Sequence, residues 1–244
     1  MITPKSSHIA RCLLVGTLLV FFLNGCALWN WFFEKEEKTP AQLWSQGLED
    51  FKKGKYEEAT ETFQQIKDRY PYSKFAVEAE LKMADAYFRR DLYLEAFDAY
   101  GEFERLHPKN PNIPYVIYQR GMCHFNQIST IDRDQSHTLK AKDEFERLLR
   151  RYRRSEYAGM ARRKIRQCYI KLAEYELYVA NYYYKMKKYR TAMDRYLYLI
   201  EHYPDLGQYH VALERLRECK EKLAQEKEVK KESWWRKLIP SFLY

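Results

Sequence analysis

The sequence predicts an all-α chain built as a helical solenoid of about four to five helix pairs. Three observations predict it. Apolar residues recur at the 3.6-residue spacing of amphipathic helices, and no stretch alternates with period two over several strands. Gly and Pro are scarce, 8 each in 244 residues, and the prolines fall at punctuation points. A grammar of small, aromatic and Pro positions also returns along the chain, the mark of stacked repeats.

The chain opens with Lys5 and Arg11 and no acidic residue among the first 25. An apolar run from Cys12 to Leu23 follows, the length of a signal-peptide core and shorter than the roughly 20 residues that span a bilayer. It ends at Leu23-Asn24-Gly25-Cys26, which resembles the lipobox of bacterial lipoproteins. Residues 1–25 are therefore expected to be a signal peptide. Cys26 would carry the S-diacylglycerol thioether and an N-acyl chain such as palmitate. One acyl chain binds a membrane only marginally, at about 0.8 kcal/mol per buried methylene, so two or more are needed for a firm anchor. The other reading is an uncleaved anchor with an incidental Cys. Residues 26–39 form a lipid-proximal linker, in which Trp29, Trp31, Phe32 and Phe33 suit the membrane interface.

Removing the signal leaves 219 residues, enough for one extended or two compact domains. Of the overall charge of +9, Lys5 and Arg11 account for two, so the remainder carries +7. That balance permits anionic headgroups, acidic partners or nucleic acid and does not choose among them. Cys123, Cys168 and Cys219 are few and scattered, which gives no disulfide framework; they read as small buried residues on helices.

The solenoid is expected over 40–231. Lys55-Tyr56-Glu57-Glu58-Ala59 runs on through Phe63 and Ile66 to Tyr70-Pro71. The pattern returns as Leu92-Tyr93-Leu94-Glu95-Ala96 with Tyr100, Phe103 and His107-Pro108, and as Lys188-Tyr189-Arg190-Thr191-Ala192 with Tyr196, Leu199 and Tyr203-Pro204. Twelve residues before each Ala stands a small residue, Gly47, Ala84 or Ala180; eight before stands an aromatic, Phe51, Phe88 or Tyr184. Small residues let paired helices approach, aromatics fill the space between pairs, and Pro stops the second helix. This resembles the tetratricopeptide repeat and implies a right-handed superhelix. An interrupted copy lies between, with Gly121, Phe125, Ala141, Phe145 and Leu148, and with Tyr152-Arg153 where the others have Pro. Its extra residues around Thr130 to Gln135 read as a loop. Approximate repeat bounds are 40–71, 72–108, 109–153, 154–204 and 205–231. Within them Glu156 to Lys187 forms one long helix, on the order of 45–50 Å at 1.5 Å per residue, and Leu206 to about Lys231 forms a capping helix.

A lipobox followed by such repeats, with Asp132-Arg133-Asp134-Gln135 in the insertion and Leu172-Ala173-Glu174-Tyr175-Glu176 and Val179-Ala180-Asn181-Tyr182-Tyr183 in the long helix, is similar to the BamD (ComL) family. The similarity covers roughly residues 23 to 225. It implies a periplasm-facing outer-membrane lipoprotein that binds the POTRA-containing barrel-inserting subunit, works beside other assembly-complex lipoproteins, and helps recruit unfolded β-barrel precursors. Ala27 in place of Asp after the lipid site favours the outer membrane.

On the concave side of such a solenoid fall Ala41, Trp44 and Leu48, then Glu78, Leu81 and Asp85, then Tyr115, Tyr118 and Met122. With Lys52 and Arg89 near, the candidate peptide groove is Trp44, Leu48, Lys52, Leu81, Arg89, Tyr115, Tyr118 and Met122. It suits an extended aromatic segment ending in a carboxylate; the other reading is packing between helices. Arg150, Arg151, Arg153, Arg154, Arg162, Arg163, Lys164 and Arg166 form a basic cluster. It reads either as a solvated face or as a docking site for an acidic partner, carried by Arg150, Arg151, Arg154, Arg162 and Arg163. Residues 232–244, with Trp234, Trp235, Arg236, Lys237, Leu238, Ile239, Phe242 and Leu243, form an aromatic-basic tail that suits a membrane surface, a partner, or order gained on binding.

Catalysis finds no support: there is no phosphate loop and no nucleophile elbow, and His107, His124, His137, His202 and His210 lack metal-ligand spacing. No enzyme, metal or cofactor is expected, and no nucleic acid, since no recognised binding fold accompanies the charge. Two other functions stay open: a pilotin for a secretin or pilus pore, and a cell-wall or DNA-uptake accessory.

Overall fold

Helix follows helix because nearly every segment carries an apolar stripe at 3.6 spacing bounded by a turn residue. The computed structural model describes residues 37–204 and 206–238, with residues 235–238 as backbone only. Among them lie nine helices: α1 (Pro40–Lys52), α2 (Tyr56–Arg69), α3 (Ala76–Arg89), α4 (Tyr93–Leu106), α5 (Ile113–Phe125), α6 (Ser136–Arg151), α7 (Tyr157–Lys185), α8 (Tyr189–His202) and α9 (Gln208–Leu238). Each packs chiefly on its neighbours in sequence, the contact pattern of a solenoid. The chain is therefore an all-α, tetratricopeptide-like stack. The signal peptide, Cys26, Ala27 and the aromatic residues of the linker lie outside the described residues, as do residues 239–244.

Local chemistry sets the helix ends. Thr39 caps α1 in a box with Gln42: the Gln42 amide donates to Thr39 Oγ1 at 3.3 Å and the Thr39 amide to Gln42 Oε1 at 2.8 Å. The first-to-second helix turns pass through Gly54 (φ +77°), Asp91 (φ +59°) and Lys187 (φ +57°), the same repeat position each time. The second helices stop at Tyr70, His107, Tyr152 and Tyr203, with φ between −125° and −136° and ψ between 53° and 56°. Tyr152 has this conformation although Arg153 replaces Pro. Proline therefore reinforces a stop that the packing of Tyr152 against the core already provides.

The core forms three clusters, along α1–α3, α3–α7 and α7–α9. The small residues do what their spacing requires. A Cβ at Gly47 would lie 2.5 Å from Phe63 Cε1, and one at Gly121 would lie 2.5 Å from Phe145 Cε1. The repeats alternate: Gly faces Phe in the first and third, whereas Ala84 and Ala180 stand opposite Tyr100 and Tyr196. The buried hydroxyls of those tyrosines donate to Asp85 Oδ1 and Asn181 Oδ1, both at 2.7 Å. Where the aromatic is Phe, the residue after the Gly is apolar, Leu48 or Met122.

Helix α7 is 29 residues long, about 43 Å at 1.5 Å per residue. Its first half packs on α6 and its second on α8, so one rigid element joins two stacks. Helix α9 runs to Leu238, past the expected end near Lys231 and into the segment read as a tail. Cys123, Cys168 and Cys219 are buried free thiols; burial pushes Cys123 and Cys168 up to about 12.

Candidate functional site

The tyrosine of the second repeat draws a carboxylate into the interior. Asp85, 6% exposed, accepts from the Tyr100 and Tyr115 hydroxyls at 2.7 Å each and from Lys82 Nζ at 2.8 Å. Gln119 Nε2 donates to the Tyr115 hydroxyl at 2.8 Å. Burial, and then the Asp85 charge, push both tyrosine hydroxyls above their ordinary range, so they stay protonated donors. The carboxylate sits at the back of a cavity of about 230 Å³ between α1, α3, α4 and α5, lined also by Phe51, Phe88 and Arg89. Lys82 lies 5.5 Å from the Phe51 ring centre and offsets Asp85, while Arg89 is exposed at the lining. The result is an aromatic hollow with fixed polar groups and a surplus positive charge.

Of the groove residues expected from sequence, Arg89 and Tyr115 meet in this cavity. Leu81 and Tyr118, each 7% exposed, belong to the core instead. Met122 is half-buried against that core, and Trp44 and Leu48 pack on the first cluster, Trp44 at 5.5 Å from Phe63 and 5.8 Å from Phe75. Lys52 is exposed and is not part of the lining, although Phe51 beside it is. Sequence reading passed over Lys82, Tyr100 and Gln119. The available signal was Asp85, an acid on an otherwise apolar helix face fifteen residues before a core tyrosine.

The arginines divide in the same way. Arg151, itself exposed, donates to Glu104 Oε1 at 2.8 Å and lies 5.5 Å from the Tyr152 ring centre. There it joins Arg147 (2.7 Å) and Arg120 (3.4 Å) around the same glutamate. Burial raises the Glu104 pKa, but the Arg147 hydrogen bond and the three guanidinium charges outweigh it and hold the carboxyl below its ordinary value. Arg150 is exposed, 3.7 Å from Glu146. Lys164 lies 3.8 Å from the Phe125 ring centre. Arg154 and Arg163 are exposed. Arg150, Arg153 and Arg162 rim a hollow of about 440 Å³ over Leu149, and Arg162 and Arg166 rim a second, of about 490 Å³, over Ile165, Tyr169, Tyr203 and Leu206. The two share Arg162, and neither lining contains an acidic residue.

Among the described residues, no group of three or more His, Cys, Asp or Glu lies placed to hold a metal, and no helix is long and apolar enough to cross a membrane. Stacked helix pairs with apolar hollows rimmed by charge define a protein of the helical-repeat class. The family described as outer membrane lipoprotein, YfiO, matches residues 36–235, and the chain belongs to that family. Its curated relatives include outer membrane protein assembly factors BamD. That of Caulobacter vibrioides is 30% identical over 161 residues, covering 66% of this chain and 53% of the relative. That of Rickettsia prowazekii is 32% identical over 156 residues, covering 64% and 62%. That of Vibrio cholerae is 28% identical over 176 residues, covering 68% and 73%. The chain thus spans a little over half the length of the first of these.

Proposed function

We propose that this chain is a lipid-anchored scaffold subunit of the outer-membrane β-barrel assembly machinery, held by Cys26 on the periplasmic face of the outer membrane. It is not an enzyme. It binds the POTRA-containing barrel-inserting subunit and unfolded β-barrel precursors and passes the latter on for insertion. The observation that carries this reading is the family match over 36–235, which spans α1 to α8 and α9 as far as residue 235, together with the Asp85 cavity and the arginine hollows. The relatives' designation as assembly factors and the Leu23-Asn24-Gly25-Cys26 sequence support it.

In mechanism, the stack works by holding surfaces at fixed separation. A precursor's aromatic terminal segment enters the cavity between α1 and α5, its carboxylate meets Arg89, and Tyr115 contributes a flat aromatic wall beside it. An acidic partner domain seats on the hollows around Arg150 and Arg162. Pairing desolvated arginines with carboxylates there supplies specificity more than raw affinity.

Depletion of the chain followed by an outer-membrane proteome tests the reading. General loss of β-barrel proteins is expected. Loss of a single secretin would instead make the chain a pilotin, and normal barrels with binding to cell wall or DNA would make it an accessory of those processes.

A further inference from the structure

Helix α9 carries one face in continuous register from the solenoid into solvent. Within the stack that face is Ala212 (0% exposed), Leu216 (6%) and Cys219 (0%), with Leu223 half-buried at its end. The same alternation of four- and three-residue steps then continues through Lys227 and Lys230 to Trp234. Every residue from Ala224 to Trp234 is exposed, and Trp234 itself is 56% exposed. Helix α9 runs fifteen residues past Leu223, about 22 Å. Lys222, Glu226 and Lys230 stand at i, i+4 spacing, the charge pattern that supports a helix with little packing.

The chemistry of the face changes past Leu223. A further helix pair or an apolar protein groove would call for Leu and Ala to continue along the stripe. Lys stands there instead, and then Trp. Between Lys227 and Lys237 there are five basic residues against two acidic ones, and Trp235 is next to Trp234. Indole, which is amphipathic, and lysine, whose stem is apolar and whose head is charged, settle together at a phospholipid interface. Basic clusters next to aromatic residues hold anionic headgroups.

We propose that the extension of α9 from Lys227 to Leu238 is a second membrane contact, binding the anionic headgroup surface of a phospholipid bilayer independently of the lipid on Cys26.

The test uses the whole chain from residue 26 with Cys26→Ser, so that no lipid is attached, floated with vesicles of phosphatidylethanolamine and phosphatidylglycerol or of phosphatidylcholine alone. Binding to the anionic vesicles about tenfold tighter than to the neutral ones, and weakened by salt, is expected. Lys227→Glu with Lys230→Glu, and separately Trp234→Ser with Trp235→Ser, should each remove most of that binding with unchanged helical circular dichroism. The proposal is overturned if both variants bind like the parent, which would assign binding to the aromatic residues near Trp29, or if no form binds. It is equally overturned if the lysine variant keeps its vesicles but loses a protein partner from detergent-solubilised membranes. These outcomes are independent of the barrel-depletion result.

Discussion

At the residue scale, the chain places a few polar groups where each must find a partner. Asp85 is the clearest. Replacing it with Ala strands the Tyr100 hydroxyl in the core, and a loss of about 1–3 kcal/mol in the urea unfolding free energy is expected. Combining Asp85→Leu with Tyr100→Phe, which copies the apolar arrangement of the first and third repeats, should recover part of that loss. An additive double mutant would show that the bond is not what holds the pair. His124 gives a pH test. It is half-buried, its ring centre 4.7 Å from that of Phe97 and its Nδ1 3.3 Å from Nδ1 of His137. Burial first, and then His137, Lys140 and Arg120, lower its pKa from 6.5 to about 4. The folded state therefore keeps the ring neutral while the unfolded chain protonates it near 6.5. Its contribution is complete above pH 6.5 and is lost as pH falls to about 4. Urea midpoints measured from about pH 7 to about pH 4 should fall less steeply in His124→Leu than in the parent; parallel curves would contradict this. Much at this scale was illegible in sequence. Arg151 and Arg162 look alike in the basic run, and only the fold reveals that Glu104, almost fifty residues earlier, pairs with Arg151.

At the element scale, most of the architecture was legible because it rests on local spacing. The Ala, Gly and aromatic positions of α1 to α8 set the helices, the close approaches and the stops. The span Glu156 to Lys187, free of Pro, reads directly as α7. Gly121 tests the close approach: in Gly121→Ala the new methyl meets Phe145, and about 1–3 kcal/mol of overpacking should exceed the ~1 kcal/mol gained in helix propensity. A stabilised variant would refute this packing. The turns supply an opposite-signed prediction. Lys187 occupies a left-handed conformation with exposed surroundings, so Lys187→Gly should raise stability by up to about 1 kcal/mol. Asp91→Gly should gain less, because Asp91 Oδ1 accepts from the Tyr93 hydroxyl at 2.5 Å. Thermal melts of the two variants decide the order. The reach of α9 was not legible: its outer half carries Lys and Glu on nearly every side, a pattern that reads equally as helix or as charged tail.

At the scale of the whole molecule, the stack separates two kinds of surface. An aromatic cavity with a fixed carboxylate lies between α1 and α5, and arginine-rimmed hollows lie along the first half of α7 and the loop after α8. The single helix α7 joins the two halves without a hinge residue of the Gly or Pro kind inside its length beyond Gly159 near its start. A rigid body of this form transmits position rather than chemistry, which suits a subunit that brings a precursor and an insertion partner side by side. Charge reversal of Arg89 should weaken capture of precursor terminal peptides and leave partner docking intact, and reversal of Arg150 with Arg162 should do the opposite; fluorescence-anisotropy titrations with each ligand separate the two. The deciding experiment is purification of the chain from gently solubilised membranes with mass spectrometry of what comes with it. The POTRA-containing barrel-inserting subunit is expected in amounts comparable to the chain itself. Recovery of a secretin in its place, with no barrel-inserting subunit, would contradict it.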